Sequence, residues 1–163
     1  VLAPDPESIL LIRRAERPGD RWSGQMAFPG GRRGPEDSSL LATARRETLE
    51  EVGLDLGGAR VLGQLDDSAP RSPTLPPLVV RPFVFHLPKR GNLSLNHEVD
   101  AAVWVPLGAL AEAAVYRPYP FVLGEQTVMF PGYHLAEGVV WGMTERILTP
   151  FLQLLGIEIR SRP

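Results

Sequence analysis

Residues Gly30–Leu54, GGRRGPEDSSLLATARRETLEEVGL, constrain this chain more tightly than any other stretch. A Gly-Gly pair and Pro35 lead into a run with helical periodicity, and Gly53 stands where a left-handed C′ residue would end it. Asp37, Ser38 and Ser39 offer N-cap oxygens, so a helix is expected over Ser38–Val52. Leu41, Ala44, Thr48 and Val52 would form its core side. Glu47, Glu50 and Glu51 crowd its last turns. Carboxylates oppose the negative end of a helix macrodipole, so something must offset the repulsion. At about 100° per residue the three fan over roughly 100° beside the apolar stripe, where they can point into a groove between helix and sheet. Hard divalent cations take carboxylate and carbonyl oxygens, so a cation is the simplest candidate. The Gly30–Gly31 turn can bring a backbone carbonyl close, and Arg46 can fork onto a carboxylate. Taken alone, an E-x-x-E-E helix also fits a solvated charged face, with Arg46–Glu50 as an i,i+4 pair worth about 0.2–0.5 kcal/mol.

The rest of the chain supplies a sheet for that helix. Ser8–Arg13, SILLIR, is a short apolar run expected as a buried strand. Residues 15–25 are polar with Pro18, Gly19 and Gly24, hence a loop, and Met26–Phe28 a short strand. Strands are expected over Arg60–Leu65, Leu78–Leu87, Val99–Val105 and Gln126–Phe130, with Pro82 marking an edge or bulge. Tyr116–Pro120 is expected as a loop, Pro106–Ala113 as a short helical piece and Val140–Leu155 as a C-terminal helix. The result is a mixed sheet with at least two helices, α/β or α+β, in one domain over 1–163.

Bulk properties narrow the function classes. The net charge of −2 gives no general field for nucleic acid or an anionic membrane. No cysteine is present, which removes disulfides, thiolate metal sites and cysteine nucleophiles. No apolar run approaches the ~18 residues of a membrane span, and no signal peptide is visible, so a cytoplasmic location is expected. The chain opens on Val1, which leaves a longer natural N-terminus open. Sheet edges and exposed apolar loop residues would allow a homodimer.

Arg46-Glu47-Thr48-Leu49-Glu50-Glu51-Val52-Gly53-Leu54 resembles the end of the Nudix box, G-x5-E-x7-R-E-U-x-E-E-x-G-U, with U a bulky aliphatic residue. Two departures stand out. Thr48 replaces an aliphatic residue on the core face, and Asp37 stands in place of the first Glu, with eight residues instead of seven separating it from Arg46. Leu10–Arg14 followed by Gly24–Gly31, GQMAFPGG, resembles the corresponding segment of coenzyme A pyrophosphatases within the Nudix superfamily. Trp141–Leu148 is similar to their W-G-x-T-x-R-I-L, and Glu98-Val99 to their E-V strand start. Trp22 replaces a His that usually precedes Gly-Gln in that subfamily, and the Pro-rich loop Ala69–Pro77 also departs.

The resemblance implies a Nudix-type α/β/α sandwich with a mixed central sheet, and metal-dependent hydrolysis of a nucleoside diphosphate linked to another group. By that analogy Glu47, Glu50 and Glu51 hold Mg²⁺ or Mn²⁺, with the Gly30 carbonyl as an extra ligand. Arg46 orients the cluster. The general base is open among Glu47, Glu50 and Glu98, with a helix glutamate favoured because the motif fixes only that cluster. Arg13 and Arg14 alternate on a strand, so one faces the site and meets phosphate. Gly31, Trp22 and Arg71 complete the substrate-binding candidates, Trp22 by stacking on a base. A small-molecule nucleoside diphosphate is the expected partner, coenzyme A or an acyl derivative first. A dinucleotide, a nucleotide sugar, a damaged nucleotide or a non-catalytic nucleotide-binding module are the alternatives.

Overall fold

A computed structural model describes residues 1–20, 22–70 and 77–159, without the Leu123 side chain. The elements are β1 (Leu2–Ala3), β2 (Ser8–Arg14), β3 (Met26–Ala27), α1 (Leu40–Val52), β4 (Arg60–Gln64), β5 (Phe83–His86), β6 (Val99–Pro106), α2 (Leu107–Leu110), β7 (Tyr116–Leu123), β8 (Gln126–His134), β9 (Val139–Trp141) and α3 (Gly142–Leu154). Strand β2 is the hub. β6 lies antiparallel along one edge, while β1 and β3 share the other. β1 runs parallel to β5, and β5 antiparallel to β4, which makes the six-stranded sheet mixed.

The uninterrupted apolar run of β2 follows from burial on both faces. Ile9 and Leu11 join a core with Leu148, Phe151 and Leu152 of α3. Leu10 and Ile12 join a second core with Val52 of α1, Phe85 and Val99. The two helices therefore cover opposite faces, the α/β/α arrangement expected. No helix among the described residues is long and apolar enough to cross a membrane.

Helix α1 begins where its capping chemistry dictates. The Ser39 hydroxyl accepts the Ala42 N–H at 3.1 Å, and Gly53 closes the helix at φ 68° with its N–H on the Leu49 carbonyl. Thr48, in the aliphatic position, is 2 % exposed, because its hydroxyl donates to the Ala44 carbonyl at 2.7 Å and leaves the methyl for the core.

Three expectations are corrected. Tyr116–Pro120 is strand, not loop: β7 and β8 form a long hairpin through a two-residue turn with Gly124 at φ 63°. Pro118 faces Pro131, so that rung has no N–H to lose, and β7 is an edge of its three-stranded sheet. The strand expected from Leu78 begins only at Phe83, since Pro82 has no N–H for the ladder; its carbonyl accepts the Leu65 N–H at 2.9 Å, and the Ser68–Val80 bridge lies beyond. The C-terminal helix starts at Gly142, after Val139–Trp141 has paired with β8.

Candidate active site

The C-terminal half of α1 meets the Pro29-Gly30-Gly31 turn. The Gly30 N–H donates to Glu51 Oε2 at 2.9 Å. A Cβ on Gly31 would lie 2.3 Å from the Glu47 carboxyl carbon, so only glycine lets the main chain pass that close. Consecutive glycines thus seat two carboxylates, one by a hydrogen bond and one by making room. Gly30 itself holds φ 154°, a conformation L side chains rarely adopt.

Arg46 neutralises the remainder. Its Nε and Nη2 fork onto Asp37 at 3.0 and 2.9 Å. The same guanidinium donates to Glu47 Oε1 and Glu50 Oε2, each at 2.9 Å. Asp37 also accepts the Gly34 N–H at 2.8 Å, and these donors hold its carboxyl well below the usual carboxylate range, Arg46 foremost. Asp37 is therefore a brace for Arg46, which suits the longer loop before α1. Arg46→Ala is expected to lower the melting temperature at neutral pH by leaving buried Asp37 without its fork, and Arg46→Lys to restore only part. A depressed carboxylate stabilises the fold above its unfolded value near 3.8 and loses that contribution as pH falls through its folded value. Melts recorded from neutral to strongly acid pH should then show the Arg46→Ala deficit holding above 3.8 and shrinking as pH falls from there towards the folded value. A deficit independent of pH would place its origin elsewhere.

Glu51 is the least accommodated carboxylate. It is 2 % exposed. Burial pushes its pKa up to about 7, the Gly30 N–H opposes that, the charge of Glu47 adds to it, Arg14 lowers it and Glu98 raises it. Among the described residues no three Asp, Glu or His side chains are already drawn around one point as a metal cage. The donor set nevertheless fits a hard divalent cation: all oxygen, excess negative charge, and a buried carboxylate beside two others.

The strand arginines divide as alternation predicts. Arg14 lies on the α1 side, where its charge acts on Glu51 and Nη2 donates to Asp20 at 2.8 Å. Arg14 Nε is buried with no hydrogen-bond partner among the described residues. Arg13 is not brought to the cluster. It pairs with Asp100 and donates to the Glu137 carbonyl at 2.8 Å, on the α3 side. Trp22 is half-buried in the loop before β3, its backbone N–H on Asp20 Oδ1 at 3.0 Å. Arg71 lies outside the described residues.

Glu98 reaches the rim of the cluster through backbone ties. The Asn96 N–H donates to the Glu51 carbonyl at 3.1 Å and the Ser94 N–H to the Val52 carbonyl at 2.8 Å, satisfying the end of α1. Asn96 Oδ1 accepts the Glu98 N–H at 2.8 Å, and the Glu98 carbonyl accepts the Ala15 N–H at 2.8 Å. Arg17 Nη1 donates to Glu98 Oε1 at 3.1 Å. Sequence reasoning missed Asn96 and Arg17; an Asx turn in Asn96-His97-Glu98 was a readable signal for the first, while nothing local marked the second.

A carboxylate-bearing helix, seated on a Gly-Gly turn and packed on one face of a mixed sheet sandwiched by a second helix, defines a class shared with known folds. The NUDIX domain model matches residues 1–123, and the chain belongs to the Nudix domain family. It is 33 % identical over 149 residues to NudL, an uncharacterised Nudix hydrolase of Photorhabdus laumondii, covering 91 % of this chain and 78 % of that one. An uncharacterised protein of Schizosaccharomyces pombe is 48 % identical over 107 residues, 63 % of this chain but 32 % of its own length. The chain thus spans about a third of that relative and about three quarters of NudL. In fold it is similar to a MutT/nudix family protein of Enterococcus faecalis, with TM-score 0.58, 18 % identity and coverage of 92 % of this chain and 56 % of that one. It is also similar to an Ap4A hydrolase of C. elegans, with TM-score 0.52, 19 % identity and coverage of 62 % and 69 %.

Proposed function

We propose that this chain hydrolyses the diphosphate linkage of a nucleoside diphosphate derivative with Mg²⁺ or Mn²⁺, coenzyme A or an acyl derivative being its leading substrate. The observation that carries the reading is Glu51, a buried carboxylate facing the charges of Glu47 and Glu98 within a Nudix domain. Glu47, Glu50 and Glu51 would hold the cation, with the Gly30 carbonyl as an added ligand, Glu47 and Glu50 exchanging Arg46 for it. When bound, the ion supplies charge neutralisation to the diphosphate and acidity to water. Arg14, whose charge acts on Glu51 and whose side chain is 32 % exposed, takes a phosphate oxygen of the substrate through its guanidinium. Glu98 takes the proton of the attacking water, because Glu47, Glu50 and Glu51 would all be engaged by the cation. The water oxygen bonds to one phosphorus as that phosphorus loses its bridging oxygen, and the leaving phosphate departs as an anion. Arg46 orients the helix carboxylates throughout.

The coenzyme A assignment rests on the GQMAFPGG and Trp141–Leu148 segments. Trp22, standing where the subfamily has His, favours the second reading, another nucleoside diphosphate derivative. A panel decides: coenzyme A, acetyl-coenzyme A, a dinucleotide, a nucleotide sugar and an oxidised nucleoside triphosphate, each with Mg²⁺ or Mn²⁺. The expected products from coenzyme A are 3′,5′-ADP and phosphopantetheine. No turnover across coenzyme A derivatives with turnover elsewhere moves the assignment to the second reading, and no turnover anywhere leaves a binding module.

A further inference from the structure

We propose that Arg17 is a positioning residue for hydrolysis, holding the Glu98 carboxylate at the rim of the cluster; this rests on the hydrolytic reading above. Arg17 grips Glu98 at two points. Nη1 donates to the carboxylate at 3.1 Å, and Nη2 reaches the preceding carbonyl, that of His97, at 3.5 Å. Fixing the carboxylate and the backbone beside it sets the direction in which Glu98 points, which one contact would leave free.

The grip is only as good as the placement of Arg17, and that is over-determined. The Arg17 N–H donates to Ser23 Oγ at 2.6 Å, and the Asp20 N–H returns to the Arg17 carbonyl at 3.2 Å. The Ser23 hydroxyl reaches the Ala15 carbonyl at 3.5 Å, while the Ala15 N–H binds the Glu98 carbonyl. The polar loop after β2 thus folds back on itself and on the residue it positions. Glu16, Arg17, Pro18 and Ser23 line an open depression there. Both side chains of the pair are about two-fifths exposed, at 40 % and 39 %. An ion pair that exposed contributes little to stability. Its effect therefore falls on geometry, which is where a proton acceptor is sensitive.

The experiment is a double-mutant cycle on whichever panel diphosphate the wild type hydrolyses, with Arg17→Ala, Arg17→Lys, Glu98→Gln and the Arg17→Ala/Glu98→Gln pair. Glu98→Gln should lower kcat by roughly 10²–10⁴-fold. Arg17→Ala should lower kcat by roughly 10–100-fold with KM nearly unchanged. The pair should be no slower than Glu98→Gln alone, since Arg17 acts through Glu98. Arg17→Lys should recover part of kcat, and melting temperatures should match. Losses that multiply, or a rise in KM with kcat intact, overturn the proposal, the latter by making Arg17 a substrate contact. Carbon NMR of the Glu98 carboxylate separates the two readings: a signal unchanged in Arg17→Ala overturns the grip itself, whereas a shifted signal with no wild-type turnover overturns only the hydrolytic reading and the catalytic use of the grip.

Discussion

Glu51→Gln is expected to lower hydrolysis by at least about 100-fold, the upper range for residues that merely support a metal ligand, while stabilising the metal-free fold at alkaline pH. The second effect follows from proton linkage. Burial raises the Glu51 pKa from 4.5 to about 7 in the folded chain. Below about 4.5 the group is protonated folded and unfolded alike, and contributes nothing to the pH dependence. Between the two values the unfolded chain releases the proton and the folded chain keeps it. The folded state then binds more protons, so stability falls as pH rises, by about 1.4 kcal/mol per unit. The full window amounts to roughly 3 kcal/mol, reached above about pH 7. Gln is nearly isosteric with the protonated acid, and its Oε1 can still accept the Gly30 N–H. The stability of Glu51→Gln minus that of wild type should therefore start near zero at low pH, climb through the window and level off. Urea titrations of both proteins in chelator, at a series of pH values, measure it. A difference flat in pH would mean that Glu51 is not a strained carboxylate. Mg²⁺ or Mn²⁺ should close the gap from the wild-type side, raising wild-type stability above pH 7 by mass action and leaving Glu51→Gln almost unmoved.

Much of the scaffold behind that effect could be read from residue order. β2 declared itself through an apolar run too long for one-sided burial, and α1 through Ser39 and Gly53 at its ends. β1 could not, since two residues carry no periodicity and owe their conformation to Ile9, Ser8 and His86 on neighbouring strands. The β7–β8 hairpin was concealed by its prolines, which are compatible with a strand only once their partners are known. The site divides in the same way. Carboxylate positions on one helix follow from 3.6-residue spacing, and so does the split of Arg13 from Arg14 on a strand from its two-residue alternation. Which arginine faces α1 does not, because that depends on which sheet face the helix covers. The Arg17–Glu98 contact joins residues 81 apart through two loops, and no local pattern encodes such a meeting. The Gly30 N–H that donates to Glu51 was not foreseen, because peptide orientation is something glycine leaves open until the fold is set.

Gly31→Ala should separate activity from stability more sharply than any other single change. The added Cβ would meet the Glu47 carboxyl carbon at 2.3 Å and its oxygens at 2.4 and 2.5 Å. All three are the far end of a flexible side chain, so the clash is relieved by swinging Glu47 aside. Gly31 is not among the positive-φ glycines, which leaves alanine conformationally acceptable. Loss of chain freedom in the unfolded state then works in alanine's favour, by about 0.4–1 kcal/mol. The melting temperature is therefore expected to stay near wild type. Turnover is not, because a displaced Glu47 both leaves the cation site and releases its contact with Arg46; a displacement of that size can cost about 100-fold. Gly30→Ala supplies the contrast. No atom lies within 4 Å of the place a Cβ would take there, yet φ is 154°, so alanine strains the backbone that carries the Glu51 hydrogen bond and should lower stability and activity together. Thermal melts and initial rates of the two variants, side by side, decide it. A Gly31→Ala protein that unfolds early would mean that the turn cannot yield, and one that hydrolyses at the wild-type rate would remove Glu47 from the metal site.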